Sequence, residues 1–419
     1  MLDYWRTLRR FNRNARLYLI TPVAIGISYY GLFVVLFNLY LLRLGYGPSF
    51  IGAVNAAGQV SFIVMSLPAS ALGRRWGSRK LIIAGIILYL LGFGLLPLAE
   101  FVPSGWQATW LFATFMLAFL GGPLYWVNSN TYLMGTTTPA ERNHAFSVRT
   151  ALFPLAGVAG SLVGGLLPGL FATILGVSLE EPAPYRYALF LGALLYLPAL
   201  LAMLAAHDVD GLPEERAEKA TGPAPIALIV PLVLVELLRM AGEVGTLGFF
   251  NVYLDVGLNV STAQIGTIAA VSLLVSGTAA LSTPLLAARI GNHMTVTLSM
   301  LGMALLLVPL ALFPQPLTAA LSYMAVMALA AVSNSAISVY RMEVVGAAWW
   351  ALMAGAAVTG QGVGESGILF AGGYLIDGRG FSSYFLTVAC LVFLGAVFFL
   401  LYFRTPRGEL ARPGSSEAR

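Results

Sequence analysis

Charge is what this sequence has least of. Of its 419 residues only 10% are Asp, Glu, Lys or Arg, against about 25% in an ordinary soluble domain. Hydrophobic residues make up 58%, and the mean hydropathy is +0.83. A soluble chain of this length has too little interior to hide so much apolar surface. Lipid is the solvent this composition suits, and a cytosolic enzyme, a disordered chain and a nucleic-acid partner are excluded. Cysteine is nearly missing too: Cys390 stands alone beside His144, His207 and His293. One thiol permits no internal disulfide and no thiolate metal cluster. No Gly-x-x-x-x-Gly-Lys-Ser/Thr phosphate loop, His-Glu-x-x-His pair or Gly-x-Ser-x-Gly elbow occurs. ATP drive, a metal, a cofactor and an enzyme of those types are therefore not expected.

What is present is a succession of apolar runs. Twelve can be read, near 17–43, 50–72, 81–99, 107–134, 146–170, 186–206, 226–254, 264–287, 294–313, 317–340, 350–376 and 384–403. Each is long enough to cross about 30 Å of hydrocarbon as a helix, and a helix satisfies its own backbone in lipid. The expected fold is an all-α membrane protein of twelve transmembrane helices in two pseudo-symmetric six-helix bundles. Alternating the loops from a cytoplasmic amino terminus puts 19 of the 23 basic residues inside and only Arg43, Arg186 and Arg379 outside. That bias places both termini in the cytoplasm. Arginine supplies 21 of those cations and lysine only two, a usage that suits a GC-rich bacterial genome and hence a bacterial inner membrane. The organisation expected is a basic arm (1–16), an N-terminal bundle (17–206), a charged linker (207–225), a C-terminal bundle (226–404) and a tail (405–419).

The halves repeat. Phe37-Asn38-Leu39-Tyr40-Leu41 returns as Phe250-Asn251-Val252-Tyr253-Leu254, Ile51-Gly52 as Ile265-Gly266, and Arg75-Trp76-Gly77 as Arg289-Ile290-Gly291. Asn128-Ser129 returns as Asn334-Ser335, and Gly164-Gly165 as Gly372-Gly373. Two parallel six-helix repeats are one established transporter architecture.

With these features the chain resembles the major facilitator superfamily. The segment Ser70-Ala-Leu-Gly-Arg74-Arg75-Trp76-Gly77-Ser78-Arg79-Lys80 is similar to that family's Gly-x-x-x-Asp-Arg-x-Gly-Arg-Arg loop. Ser70 stands for its first glycine and Arg74 for its acid. The resemblance implies a gate role for Arg74, Arg75, Gly77 and Arg79 and for Arg289 and Gly291 of the second copy. With arginine at position 74, the ion pair that the family's acid makes across the gate is not expected from this loop. The fifth run, Pro154 to Gly169, weakly resembles the glycine-rich stretch of drug/proton antiporters but lacks its Gly-Pro pair.

Four ionisable residues lie deep in apolar runs. Arg239 lies about 60° from Glu236 around a helix, and Glu243 about 20° from Glu236, so the three share a face. Charges at mid-membrane depth are costly and mark ion or substrate pathways by default. The trio sums to −1, and protonating one glutamate makes it neutral, so it can serve as a proton switch. The alternative is a structural ion-pair cluster. Glu365 has Gln361 one turn before it and no cation in its own run; it is a second proton site, a substrate contact or a neutral acid bonded to a neighbouring helix. Tyr30, Asn38, Tyr125, Asn128, Asn251, Asn334 and Gln361 are polar groups expected to line a substrate cavity or to pack between helices. Gly362-Val-Gly364-Glu365-Ser-Gly367 fits a dinucleotide fingerprint formally, but it lies within an apolar span and follows no strand. The small-residue pairs Gly160/Gly164 and Gly165/Gly169 read as helix packing.

These readings converge on a secondary active transporter working by alternating access, a monomer in lipid whose partners are protons and a small molecule. Proton-coupled efflux of a small organic or amphipathic compound leads. Proton-coupled uptake of a small organic anion or sugar, with Arg239 holding a carboxylate, is the alternative. A non-transporting sensor or a lipid scramblase is the other class.

Overall fold

The computed structural model describes residues 11–208, 224–405, 407 and 408. The basic arm is therefore described only from Phe11. Most of the expected linker and tail lie outside the described residues.

Nine helices among the described residues are long and apolar enough to cross a membrane. Two of them, Thr262–Leu312 and Trp350–Tyr402, run for more than fifty residues and are each broken by one glycine with non-helical backbone, Gly291 and Gly380. An unbroken helix of that length would measure about 75 Å, more than twice the hydrocarbon thickness. A further helix, Ile226–Val252, is of span length and carries three charges of its own. Dividing the two long helices and including this one gives twelve: α1 (Arg13–Arg43), α2 (Pro48–Trp76), α3 (Ser78–Phe101), α4 (Ser104–Gly135), α5 (Pro139–Leu175), α6 (Ala183–Ala205), α7 (Ile226–Val252), α8 (262–290), α9 (292–312), α10 (Pro316–Val344), α11 (350–379) and α12 (381–402). No strand occurs among the described residues.

Local chemistry sets several of the boundaries. A capping box of Thr138 and Glu141 opens α5, and Gly176 in the left-handed region closes it. α6 breaks at Leu195, where Pro198 can supply no N–H to the preceding turn. α1 widens into a π-helix over Gly26–Phe33, and α7 runs on into a short π-helix over Tyr253–Gly257.

The chain forms two compact units. One contains residues 11–208 together with Val260–Leu273; the other contains residues 224–259 and the chain from Leu274 onward. The first part of α8 thus differs from the organisation read in the sequence, which puts all of 226–404 in one bundle. The reason is contact with α5 and α6. A Cβ on Gly165 would lie 2.9 Å from the Cα of Gly266, and the Tyr185 hydroxyl meets Thr262 Oγ1 at 3.1 Å.

The internal repeat persists in three dimensions. Tyr40 donates to the Pro97 carbonyl at 3.0 Å, and Tyr253 donates to the Leu310 carbonyl at 3.3 Å. Phe37 stacks on Phe115 at 4.4 Å between centroids, and Phe250 on Tyr323 at 3.8 Å. Gly77 (φ 90°, ψ 142°) joins α2 to α3, and Gly291 (φ 79°, ψ 159°) joins α8 to α9. Only glycine takes that backbone region readily.

Candidate functional site

The site is built on α7. Its glycines and those of α11 let neighbouring helices lie close, so that polar side chains from three helices meet. A Cβ on Gly364 would stand 2.8 Å from the Leu237 carbonyl oxygen, and one on Gly360 would stand 2.7 Å from Val233. This close seat brings Gln361 and Glu365 of α11 against the charged face of α7. On the other side α12 clamps α7, with the Tyr384 hydroxyl donating to the Gly245 carbonyl at 2.7 Å.

Glu236 is the hub, and its side chain is fully buried. Its Oε2 accepts from Arg239 Nε at 3.1 Å, Arg239 Nη2 at 2.8 Å and Gln361 Nε2 at 3.2 Å. Its Oε1 accepts from Arg341 Nη1 at 2.7 Å. Two guanidinium groups and an amide thus satisfy one buried carboxylate, the condition under which such a charge is tolerable. Glu243 is held more loosely. Its Oε2 accepts from Asn334 Nδ2 at 2.8 Å and lies 3.5 Å from Arg239 Nη1, with the side chain 24% exposed. Arg239 Nη1 is buried and makes no hydrogen bond among the described residues. Glu365 comes within electrostatic range of both Glu243 and Arg239.

Arg341 corrects the sequence reading, which counts it among the loop cations that set orientation and leaves Arg239 as the only basic residue inside a span. It lies three residues from the end of α10 with its side chain only 12% exposed, turned inward to Glu236. The charge count changes with it. Glu236, Arg239, Glu243 and Arg341 sum to zero when all are ionised, where the trio alone sums to −1. The surplus acid of the cluster is Glu365.

The structure brings together Glu236, Arg239, Glu243, Asn334, Gln361 and Glu365. The other residues expected to line a cavity have partners within their own units. Asn38 Oδ1 accepts from Asn55 Nδ2 at 3.0 Å, tying α1 to α2. Asn128 is buried and donates to the carbonyl of Leu124 at 2.9 Å, and a Cβ on Gly73 would collide with its Oδ1. Asn251 Oδ1 accepts from the Val252 amide at 2.9 Å. The Tyr125 hydroxyl pairs with Thr21 at 2.8 Å in the interior of the first unit. Tyr30, 36% exposed, stands edge-on to Tyr29.

The residues expected at the gate loops divide as well. Arg79 donates to the Met203 and Leu204 carbonyls at 3.0 and 2.8 Å and lies 3.5 Å from Asp208, capping the end of α6. Arg74 donates to Ser70 Oγ at 3.2 Å, while Arg75 and Arg289 are exposed. No group of three His, Cys, Asp or Glu among the described residues is placed to hold a metal ion.

Comparison with known proteins bears on this arrangement. No curated protein matches the chain. Solved structures do. A mutant of the nucleoside transporter NupG aligns with a TM-score of 0.75 at 14% identity, over 94% of this chain and 100% of that one. A bacterial homolog of the human lysosomal transporter Spinster aligns with a TM-score of 0.75 at 13% identity, over 96% and 98%. The xylose transporter XylE from E. coli aligns with a TM-score of 0.72 at 14% identity, over 93% and 95%. At such identities the likeness is one of fold. The family model described as Major Facilitator Superfamily matches residues 18–365 and 232–419, which together span almost the whole sequence. With that match, and with span-length helices and repeated halves among its described residues, the chain is a multi-pass membrane transporter of the Major Facilitator Superfamily.

Proposed function

We propose that this transporter couples the movement of a small organic or amphipathic compound to protons, that it exports its substrate, and that Glu243 and Glu365 are the groups that exchange the proton. The observation that supports the reading is the charge balance around Arg239. Four ionised groups cancel, and one more acid stands in the same field. Glu243 and Glu365 both lie in the field of the Arg239 guanidinium, and in this reading the pair carries one proton between them. Release of that proton leaves a net negative charge, which a cationic substrate compensates. Proton and substrate then compete for one place, and competition of that kind is antiport. Glu236 plays a different part in this reading: bonded by four donors, it anchors the arginines. The basic residues of the loops support an orientation with both termini in the cytoplasm of a bacterial inner membrane.

A second reading has one observation of its own. Arg239 Nη1 is buried without a hydrogen bond among the described residues, and a substrate carboxylate is a fitting acceptor. Protonation of Glu243 would then free the guanidinium for the anion, giving symport. The nucleoside transporter, the xylose transporter and the bacterial Spinster homolog that share the fold leave both directions open.

Proteoliposomes with an imposed pH gradient test the proposal. An inward proton gradient is expected to drive substrate out, and Glu243→Gln is expected to lose gradient-driven transport while keeping substrate exchange. Undiminished gradient-driven transport by that variant refutes the proton role, and accumulation of substrate along the proton gradient replaces antiport by symport.

A further inference from the structure

The turn between α2 and α3 and its repeat between α8 and α9 make an internal comparison. Both are single-residue connections between consecutive span-length helices, closed by Gly77 and Gly291 in nearly the same backbone conformation. Their side chains differ. Where the first turn carries Arg74, Arg75, Trp76, Arg79 and Lys80, the second carries Ala288, Arg289, Ile290, His293 and Met294. The second turn reaches this geometry with one cation, so the backbone does not require four.

One of the four is already used. Arg79 caps the carbonyls of Met203 and Leu204 and faces Asp208. Arg74, Arg75 and Lys80 point elsewhere. All three are exposed, none makes an ion pair among the described residues, and only Arg74 has a hydrogen bond, to Ser70. No Asp or Glu occurs between Asp3 and Glu100 to neutralise them. In the same unit Glu141 is engaged in its own capping box and Glu180 and Glu100 lie against Arg43 and Arg186. Trp76 is 52% exposed beside the cations. No side chain caps the N-terminus of α3, so its free amides add positive potential at the same spot.

We propose that Arg74, Arg75 and Lys80 form a binding surface for the phosphate headgroup of an anionic phospholipid, with Trp76 anchored in the headgroup layer beside it. Guanidinium forks match phosphate oxygens in geometry and charge, and indole rings favour the membrane–water interface. The place of the turn, joining the ends of two spans each long enough to cross the hydrocarbon, favours a lipid over a soluble phosphate. A zwitterionic headgroup offers these cations no net charge.

The test is thermal unfolding of the purified full chain in detergent, titrated with phosphatidylglycerol, phosphatidylcholine or inorganic phosphate. Phosphatidylglycerol is expected to raise the midpoint of the wild type, and phosphatidylcholine and inorganic phosphate to leave it unchanged. Arg74→Gln with Arg75→Gln is expected to weaken the phosphatidylglycerol response by roughly fivefold for each cation removed. The charge-preserving Arg74→Lys with Arg75→Lys keeps most of it, and Arg289→Gln in the repeat keeps all of it. An unchanged response in the double glutamine variant overturns the proposal. So does an equal response to phosphatidylcholine, or one that inorganic phosphate reproduces. Because both arginines are exposed, the double variant is expected to fold with the wild-type midpoint in lipid-free detergent, and the lipid titration is read from that baseline.

Discussion

Replacing Glu236 by Gln tests the division of labour in the charged cluster. Wild type holds two cations and two anions in the network of Glu236, Arg239, Glu243 and Arg341, with Glu365 beside it. Glu236→Gln leaves Arg239 and Arg341 facing Glu243 alone, a net charge of +1 beside a fully buried position. The new amide also points a donor at a guanidinium. Removing one partner of a buried ion pair costs about 3–5 kcal/mol, and a comparable destabilisation is expected here. Glu243→Gln acts on a partly exposed carboxylate whose contact with Arg239 is 3.5 Å long, and about 1 kcal/mol or less is expected. Stability and transport should therefore separate: Glu236→Gln mainly unfolds the protein, whereas Glu243→Gln mainly silences it. The double variant Glu236→Gln/Arg341→Gln restores neutrality, so its destabilisation should fall short of the sum of the single effects by about 2 kcal/mol. The assay is denaturant unfolding in mixed micelles, paired with gradient-driven flux in proteoliposomes. Equal destabilisation by the two glutamate variants, or strict additivity in the double variant, refutes the assignment of Glu236 as anchor.

Three other outcomes are expected. Tyr40→Phe and Tyr253→Phe each remove one buried hydrogen bond to a carbonyl and should cost similar amounts, about 1 kcal/mol each, as measured by unfolding. Gly31→Leu should destabilise by several times as much, because even a Cβ there would collide with the Cα of Gly160; a folded variant with wild-type stability would show that α1 and α5 do not pack as described. Arg79→Ala should expose the last carbonyls of α6 and speed proteolytic cleavage after Ala206, while Arg79→Lys should recover part of the protection.

The fold was legible because lipid imposes one rule on every span, and twelve apolar runs obey it. The shared face of Glu236, Arg239 and Glu243 was legible for a similar reason: helical periodicity alone places them together. Arg341 was not. Near the end of a span an arginine counts as an orientation signal, and only the packing of α10 on α7 shows the long side chain folding inward. The asparagines are a different case. Asn38, Asn128 and Asn251 are read in the sequence as cavity linings or packing groups because hydrocarbon cannot solvate them, and each has a partner on a nearby helix or on its own backbone. Asn334 looks the same in sequence and does reach Glu243. Nothing in a single span distinguishes these cases, since the distinguishing partner sits on another helix. The second unit's charges had a further effect: α7 is too rich in them to pass as an ordinary apolar span, although Glu236 and Arg239 are fully buried within it.

The short π-helix at Tyr253–Gly257 coincides with a one-residue difference between the two copies of the repeat. Phe37 through Leu41 correspond to Phe250 through Leu254 at a spacing of 213 residues, whereas Gly45 and Asn259, both with positive φ, stand 214 apart, as do Gly77 and Gly291. The second copy therefore holds one extra residue between Leu254 and Asn259, and the π-helix covers that stretch. The corresponding end of α1 is ordinary α-helix. A turn closed by i→i+5 bonds accommodates one residue more than an α-turn. The π-helix therefore takes up the one-residue difference between the two copies at the end of α7, and the spacing of 214 then holds as far as Gly77 and Gly291.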